Sequence, residues 1–378
     1  MRVQRSIPTP AEGATVDPSA PRTLAYEPAL DGLRGISIIA VVLFHACATS
    51  GLPDWFRGGA LGVSVFFTLS GFLITTVLVR EVEATGRVNL RRFWARRIRR
   101  LVPASLAVVA AVVVLSWTTD LYEVRAREVA ATVASFANWN IVAGGDDGLL
   151  RTVLGPLGPT WSLSVEEQFY VALALVVVLF TKAQRPQRAL AAVFGVVVAA
   201  SLVLSNVVSD WHPRLEFGTD VRAAELAVGG LLALAVTRWG ARLRDRRGLA
   251  DVIGAVGLVV LAVLFMTADY TPPWLLRGGF SAVAVMSSSV IVGALAHRGV
   301  SRLLSNPPLV AIGRWSYSIY LVHWPLFLAL SEERVGVGSW VLVAVKCAAA
   351  ALMGFALHVL VEQPFRCLRN PTLASIAN

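Results

Sequence analysis

Two side chains able to hold an anion and move a proton, Arg34 and His45, stand eleven residues apart in one apolar run, Asp31-Gly32-Leu33-Arg34-Gly35-Ile36-Ser37 through Val42-Leu43-Phe44-His45. On an α-helix, eleven steps of about 100° return to within about 20° of the start and climb about 16 Å. A cation and an imidazole therefore share one helix face, with Asp31 beside the cation. A neutral imidazole takes a proton from a hydroxyl near physiological pH, which makes His45 a candidate general base or nucleophile. The plainer reading is an interior histidine hydrogen-bonded to a neighbouring helix. The face shared with Asp31 and Arg34 favours the chemical one.

Three further segments carry reactive types. In Thr160-Trp161-Ser162-Leu163-Ser164-Val165-Glu166-Glu167-Gln168-Phe169-Tyr170, Ser162, Glu166 and Tyr170 fall on one helical stripe. Part of this pattern is what a helix cap looks like, and carboxylates suit the positive end of a helix. The same mixture of Trp, Glu, Gln and Tyr also recognises a sugar or orients a histidine. In Trp315-Ser316-Tyr317-Ser318-Ile319-Tyr320-Leu321-Val322-His323-Trp324-Pro325, Ser316, Tyr320 and His323 share a face, and Pro325 is expected to distort the helix just beyond. Finally, Arg91-Arg92-Phe93-Trp94-Ala95-Arg96-Arg97-Ile98-Arg99-Arg100-Leu101-Val102-Pro103 is basic and amphipathic. Such a stretch rides on anionic headgroups, and it equally suits the phosphates of a nucleotide-bearing cosubstrate. Sequence alone leaves both open. The small residues of Gly62 to Phe72 read as a close helix-packing face.

The chain that must position these groups has 378 residues, 56% hydrophobic and only 15% charged, with a formal charge of +10. A soluble domain carries about a quarter charged residues. Here apolar blocks alternate with short basic stretches, and the mean hydropathy is +0.66. The pattern is all-α and polytopic, with about ten spans near 33–51, 60–80, 101–117, 162–181, 187–208, 221–237, 249–266, 278–296, 309–330 and 340–361. The segment 123–143, with Glu123, Arg125, Arg127 and Glu128, is expected to pack outside the lipid or be partly re-entrant. Arginines crowd the loops after even-numbered spans, so both termini are expected on the cytoplasmic side. The same asymmetry explains the net charge without nucleic acid.

On that orientation residues 1–27 form a disordered cytoplasmic tail, 28–366 the membrane domain and 367–378 a second cytoplasmic tail. His45, Glu166, Glu167, Asp220, Arg222, Glu225 and His323 then share a depth in the outer half. Cys47, Cys347 and Cys367 have neither paired nor metal-ligand spacing and read as reduced packing residues. Lys346 is expected to snorkel outward and Glu362 to cap the final turn.

Taken together, Asp31–His45, Gly62–Leu73, Arg97–Pro103 as Arg-x-x-Arg-x-x-Pro, Trp161–Tyr170, Trp315–Pro325 and Val361-Glu362-Gln363-Pro364-Phe365-Arg366 resemble the acyltransferase-3 family. These are integral-membrane O-acyltransferases of bacterial envelopes and antibiotic pathways. The resemblance covers about 28–366. It implies a multi-pass protein of the bacterial cytoplasmic (inner) membrane. The implied reaction moves an acyl group, commonly acetyl, from acyl-coenzyme A to a hydroxyl, with no metal. The family's functional arginine and histidine map onto Arg34 and His45. By the same token Arg34, Arg97, Arg100 and Ser70 are candidates to hold or guide the coenzyme. Glu166 is expected to orient or charge-stabilise the imidazole, whether His45 acts as base or accepts the acyl group. Trp161, Ser162, Tyr170, Asp220, Tyr320 and His323 are expected to line the acceptor pocket. Some relatives add an extracytoplasmic hydrolase-like domain; this chain stops after Asn378, so transfer alone or with a partner is expected.

The acceptor is expected to be an envelope carbohydrate or glycolipid, because the histidines fall in the outer half. A macrolide-type metabolite is the alternative acceptor. A proton-coupled transporter is the alternative class, since intramembrane histidines and carboxylates also make relays. Transporter halves tend to repeat, however, and Asp31–His45 has no counterpart in the second half.

Overall fold

The computed structural model describes residues 26–208, 213–269 and 272–367, with only the backbone of 146–154. Over these residues the chain is helical, with no strand. Ten long helices follow in order: α1 Pro28–Ala48, α2 Gly62–Thr85, α3 Leu90–Thr118, α4 Thr160–Phe180 and α5 Pro186–Val207. The second half adds α6 Thr219–Asp245, α7 Arg247–Thr267, α8 Phe280–Ala294, α9 Pro307–Ala329 and α10 Ser339–Leu357. Eight spans, on all but α6 and α9, are long and apolar enough to cross a membrane, the α8 span with its preceding turn running over Leu275–Ala294. The protein is an all-α polytopic membrane protein. The other two, of 27 and 23 residues, are more polar, because α6 starts with Asp220, Arg222 and Glu225 and the middle of α9 is rich in Ser, Tyr and His. Both helices bury much of that polarity, so Arg222, Glu225, Ser316 and His323 are all nearly inaccessible.

Successive helices alternate in direction, which gives the bundle a near end, where α1 begins, and a far end, where it stops. The main packing partners are α1 with α9, α2 with α6, α5 with α6, α7 with α8, and α9 with α10. Close approach of α1 and α9 requires glycine: a Cβ on Gly35 would run into the backbone carbonyl of Leu309, and one on Gly313 into that of Asp31.

Three segments differ from the sequence reading. The basic stretch is not a separate surface element: α3 starts at Leu90, where the Asn89 side chain accepts from the backbone N–H of Arg92 at 2.9 Å, and runs unbroken through Pro103. Pro325, expected to distort its helix, is likewise carried within α9. The 123–143 segment becomes two helices, Ala126–Val133 and Ala137–Leu154, broken at Ser135 with φ 59°. Gln168 of α4 ties the break down. Its Nε2 donates to the Ser135 carbonyl (2.7 Å) and Asn138 Oδ1 (3.0 Å), while its Oε1 accepts from the Trp139 indole (3.0 Å) and the Thr219 hydroxyl (2.6 Å). The tails expected over 1–27 and 367–378 lie almost wholly outside the described residues.

Candidate active site

The parallel helices α1 and α9 hold two polar contacts along one seam. Toward the near end, Nε and Nη2 of Arg34 donate to Ser316 Oγ at 3.3 and 3.1 Å. Toward the far end, Nδ1 of His45 lies 3.1 Å from Nε2 of His323. The helical spacing read from Arg34 to His45 thus meets a matching face on α9. His323 is wholly buried, whereas His45 keeps part of its surface open. Trp324 packs against the His45 ring at 4.8 Å, and Tyr320 and Phe327 against the His323 ring at 5.3 and 5.7 Å.

Beside the histidines, the first turn of α4 closes the site. The hydroxyls of Ser162 and Tyr320 are 2.7 Å apart, and both reach the carbonyl of Pro159, at 3.2 and 2.9 Å. Two other contacts pin the far end of α9: the Trp324 indole donates to the Gly155 carbonyl at 2.9 Å, and the Tyr122 hydroxyl to the Pro325 carbonyl at 2.8 Å.

One step toward the near end lies a second layer. Ser70 of α2 donates to Glu166 Oε1 at 2.7 Å, and the Tyr170 hydroxyl to Oε2 at 3.1 Å. The guanidinium of Arg97 sits 3.4 Å from the centre of the Tyr170 ring, close enough for a cation–π contact. Arg100 lies among the charges of Arg34, Arg97 and Arg366, with the Glu362 carboxylate also within range. Nε of Arg97 and Nε of Arg100 are both buried with no hydrogen-bond partner. Buried donors are almost always paired, so these two nitrogens can still take an acceptor such as an anion. Arg91, Arg92 and Arg96, in the first turns of the same helix, are exposed, and the headgroup reading suits them.

The sequence-based site therefore gathers in part and divides in part. His45, His323, Tyr320 and Ser162 form the far layer; Arg34, Ser70, Glu166, Tyr170, Arg97 and Arg100 form the near one. The expected contact of Glu166 with the imidazole is not made, because both carboxylate oxygens are engaged by Ser70 and Tyr170 and His323 takes the place beside His45. Asp220 faces away from this seam: its carboxylate pairs with Arg214 and accepts from the Val221 N–H at 3.1 Å. Trp161 is a packing residue, held edge-on to Phe67 and Phe217 with Arg222 5.3 Å from its ring.

Two expectations outside the site are corrected. Lys346 does not snorkel; it is fully buried and donates to Thr49 and Ser50 at the end of α1. Glu362 does not cap a turn. It is buried and accepts from Ser318 Oγ at 2.9 Å, lies 2.8 Å from His358 Nδ1, and takes Arg366 Nη1 at 3.3 Å. The sequence places Ser316 on the His323 face but does not pair it with Arg34, and it gives no sign of His358, because serines and a lone histidine in apolar helices carry no signal of what they face.

Compared with known proteins, the sequence pattern of the acyltransferase-3 family, described as an acyltransferase domain, matches residues 27–360. The chain belongs to the acyltransferase-3 family. Membership makes the bundle an acyltransferase domain. Among curated relatives, the O-acetyltransferase OatA of Staphylococcus aureus (strain NCTC 8325 / PS 47) is 30% identical over 318 residues, covering 82% of this chain and 52% of that protein. The putative O-acetyltransferase SAS0844 of Staphylococcus aureus (strain MSSA476) is 31% identical over 316 residues, covering 80% and 51%. The chain thus spans about half the length of the curated relatives it matches. No solved structure matches it.

Proposed function

We propose that this acyltransferase-3 member moves an acyl group, acetyl in the first instance, from acyl-coenzyme A to a hydroxyl of an envelope carbohydrate or glycolipid, with His45 as general base. One observation carries the reading: Arg34 and His45 on one face of α1 both find partners, Ser316 and His323, on one face of α9. This makes a polar seam that runs from the level of the orphaned arginines to His45, whose residue keeps some exposure. The climb of about 16 Å from Arg34 to His45 is of the same order as the pantetheine arm.

The charge asymmetry of the loops supports a cytoplasmic near end, where acyl-coenzyme A is available. In this reading Arg97, Arg100 and Arg34 hold the phosphates. His45 Nε2 takes the proton of the acceptor hydroxyl as its oxygen attacks the thioester carbonyl. The carbon–sulfur bond then breaks, and the leaving thiolate collects the proton. The far position of His45 favours an acceptor approaching from outside the cytoplasm. The word acetyl in the relatives' names favours the acetyl donor.

The test is transfer from labelled acetyl-coenzyme A in membranes holding the full chain, with envelope polysaccharide and a macrolide as parallel acceptors. Label should enter the polysaccharide, and His45→Ala should stop it at equal expression. Full transfer by His45→Ala would overturn the assignment of the base, and label in the macrolide alone would overturn the acceptor.

A further inference from the structure

Lys346 has a charge that nothing in acyl transfer from coenzyme A requires. It lies in the middle of an apolar helix, is 0% exposed, and has no carboxylate in ion-pair contact among the described residues. An ammonium there costs several kcal/mol unless all three donors are met, by the order of magnitude expected for buried ions. They are met, and all by one place. Nζ donates to the Thr49 carbonyl at 2.8 Å, to Thr49 Oγ1 at 2.8 Å and to Ser50 Oγ at 3.1 Å.

That place is the end of α1. Helix termini leave their last carbonyls unpaired and carry partial negative charge, so a buried cation there is doubly favoured. The chain leaves the helix through Gly51 at φ 75°, a left-handed turn that glycine allows. Thr49 does not merely receive the lysine. Its hydroxyl donates to the backbone carbonyl of His45 at 2.7 Å, and its N–H donates to the same carbonyl at 3.0 Å. The line of donors runs Lys346 Nζ to Thr49 Oγ1 to the His45 carbonyl.

We propose that Lys346 is a positioning residue that, through Thr49, fixes the last turn of α1 and so holds the His45 ring against His323. This rests on the reading of His45 as the base. Without the ammonium the last turn can fray, and a displacement of about 1 Å at a reacting group costs roughly 10²-fold in rate.

The experiment measures turnover of labelled acetyl-coenzyme A with envelope polysaccharide in membranes holding the full chain. The variants are Lys346→Met, Lys346→Arg, Thr49→Val, Thr49→Ser and the Lys346→Met/Thr49→Val pair. Lys346→Met and Thr49→Val should each lower kcat by roughly 10- to 100-fold while leaving KM for acetyl-coenzyme A unchanged. The pair should be no worse than the weaker single variant, and Arg and Ser should restore most of the rate. Wild-type kcat in Lys346→Met, a multiplicative double variant, or a rise in KM alone would overturn the proposal. If Lys346→Met does not reach the membrane, Thr49→Val decides: the ammonium keeps its other two acceptors, and unchanged kcat overturns the link. An inactive His45→Ala alongside a fully active Lys346→Met removes only the positioning role. An active His45→Ala removes the underlying reading itself.

Discussion

Nδ1 of His323 lies 2.7 Å from the backbone carbonyl of Tyr320, while its Nε2 lies 3.1 Å from Nδ1 of His45. A carbonyl only accepts, so the His323 proton belongs on Nδ1 and its Nε2 presents a lone pair. Between two neutral rings, the donor must then be Nδ1–H of His45. That leaves Nε2 of His45 as the bare nitrogen. Backbone carbonyls, that of Tyr320 on His323 and that of Val41 one turn back on His45, thereby hold the rings in these tautomers, which is the job a carboxylate performs in a hydrolase triad.

This arrangement predicts a graded series. His45→Ala should lower kcat by about 10²- to 10⁴-fold, the usual range for a lost general base. His323→Leu should cost less than His45→Ala, because the base remains but loses its orienting acceptor. His323→Gln should recover part of the rate, since its amide oxygen can accept from His45 Nδ1–H. Thiol release from acetyl-coenzyme A in membranes measures all three. Equal rates for the Leu and Gln variants would remove the orienting role.

The two orphaned guanidinium nitrogens make a separate forecast. If they meet phosphate oxygens, Arg97→Ala and Arg100→Ala each forfeit a charge-assisted contact of about 1.5–3 kcal/mol, tenfold or more in KM for acetyl-coenzyme A. The kcat at saturating donor should change little. Lysine at either position should recover charge but not the forked geometry, and so only part of the affinity. Arg91→Ala and Arg92→Ala, on the exposed side of α3, serve as controls and should leave KM alone. An identical KM for Arg97→Ala and Arg91→Ala would place the coenzyme elsewhere.

Much of the bundle was legible because lipid imposes a length and a composition on each span, and loop arginines punctuate them. The Arg34–His45 face was legible because helical geometry turns a spacing into a direction. Partners were not. Nothing local says that Ser316 rather than Asp31 meets Arg34, or that His323 rather than Glu166 meets His45, because these depend on how α1 and α9 cross. The same limit explains Arg97 and Arg100. Their stretch reads alike whether it lies on headgroups or turns inward, and only the burial of Phe93 and the Tyr170 ring beneath Arg97 separates the two sides. Lys346 misled for a related reason, since a lysine in an apolar helix looks ready to snorkel until the end of α1 is brought beside it.

Arg222 and Glu225 test what a buried ion pair contributes to the bundle. Nε of Arg222 lies 2.6 Å from Glu225 Oε2, with side chains 2% and 0% exposed. The guanidinium also donates to the Glu216 carbonyl at 2.9 Å and to Ser64 at 3.3 Å, and lies 3.7 Å from the Phe280 ring. Removing one partner leaves a buried charge uncompensated, so Glu225→Ala should lose about 3–5 kcal/mol of stability. The paired replacement Arg222→Met/Glu225→Leu should be closer to wild type than either single change. Unfolding of the detergent-solubilised protein followed by tryptophan fluorescence reads the order. A double variant worse than both singles would mean the pair stabilises beyond mutual compensation.

Gly313 sits where α9 crosses α1, and a Cβ there would meet the Asp31 carbonyl and the backbone N of Gly35. Neither is a side chain that can swing away, so the helices themselves must part. Gly313→Ala should therefore cost about 1–3 kcal/mol of overpacking strain. It should also lower kcat, because the same crossing sets the distance between His45 and His323. Gly195, within α5, has nothing within 4 Å of its would-be Cβ, so Gly195→Ala should be neutral or gain up to about 1 kcal/mol from helix propensity. Thermal unfolding and turnover of the two variants, measured side by side, give the comparison. Unaltered kcat in Gly313→Ala would show that α1 and α9 can separate at this crossing without moving the histidine pair.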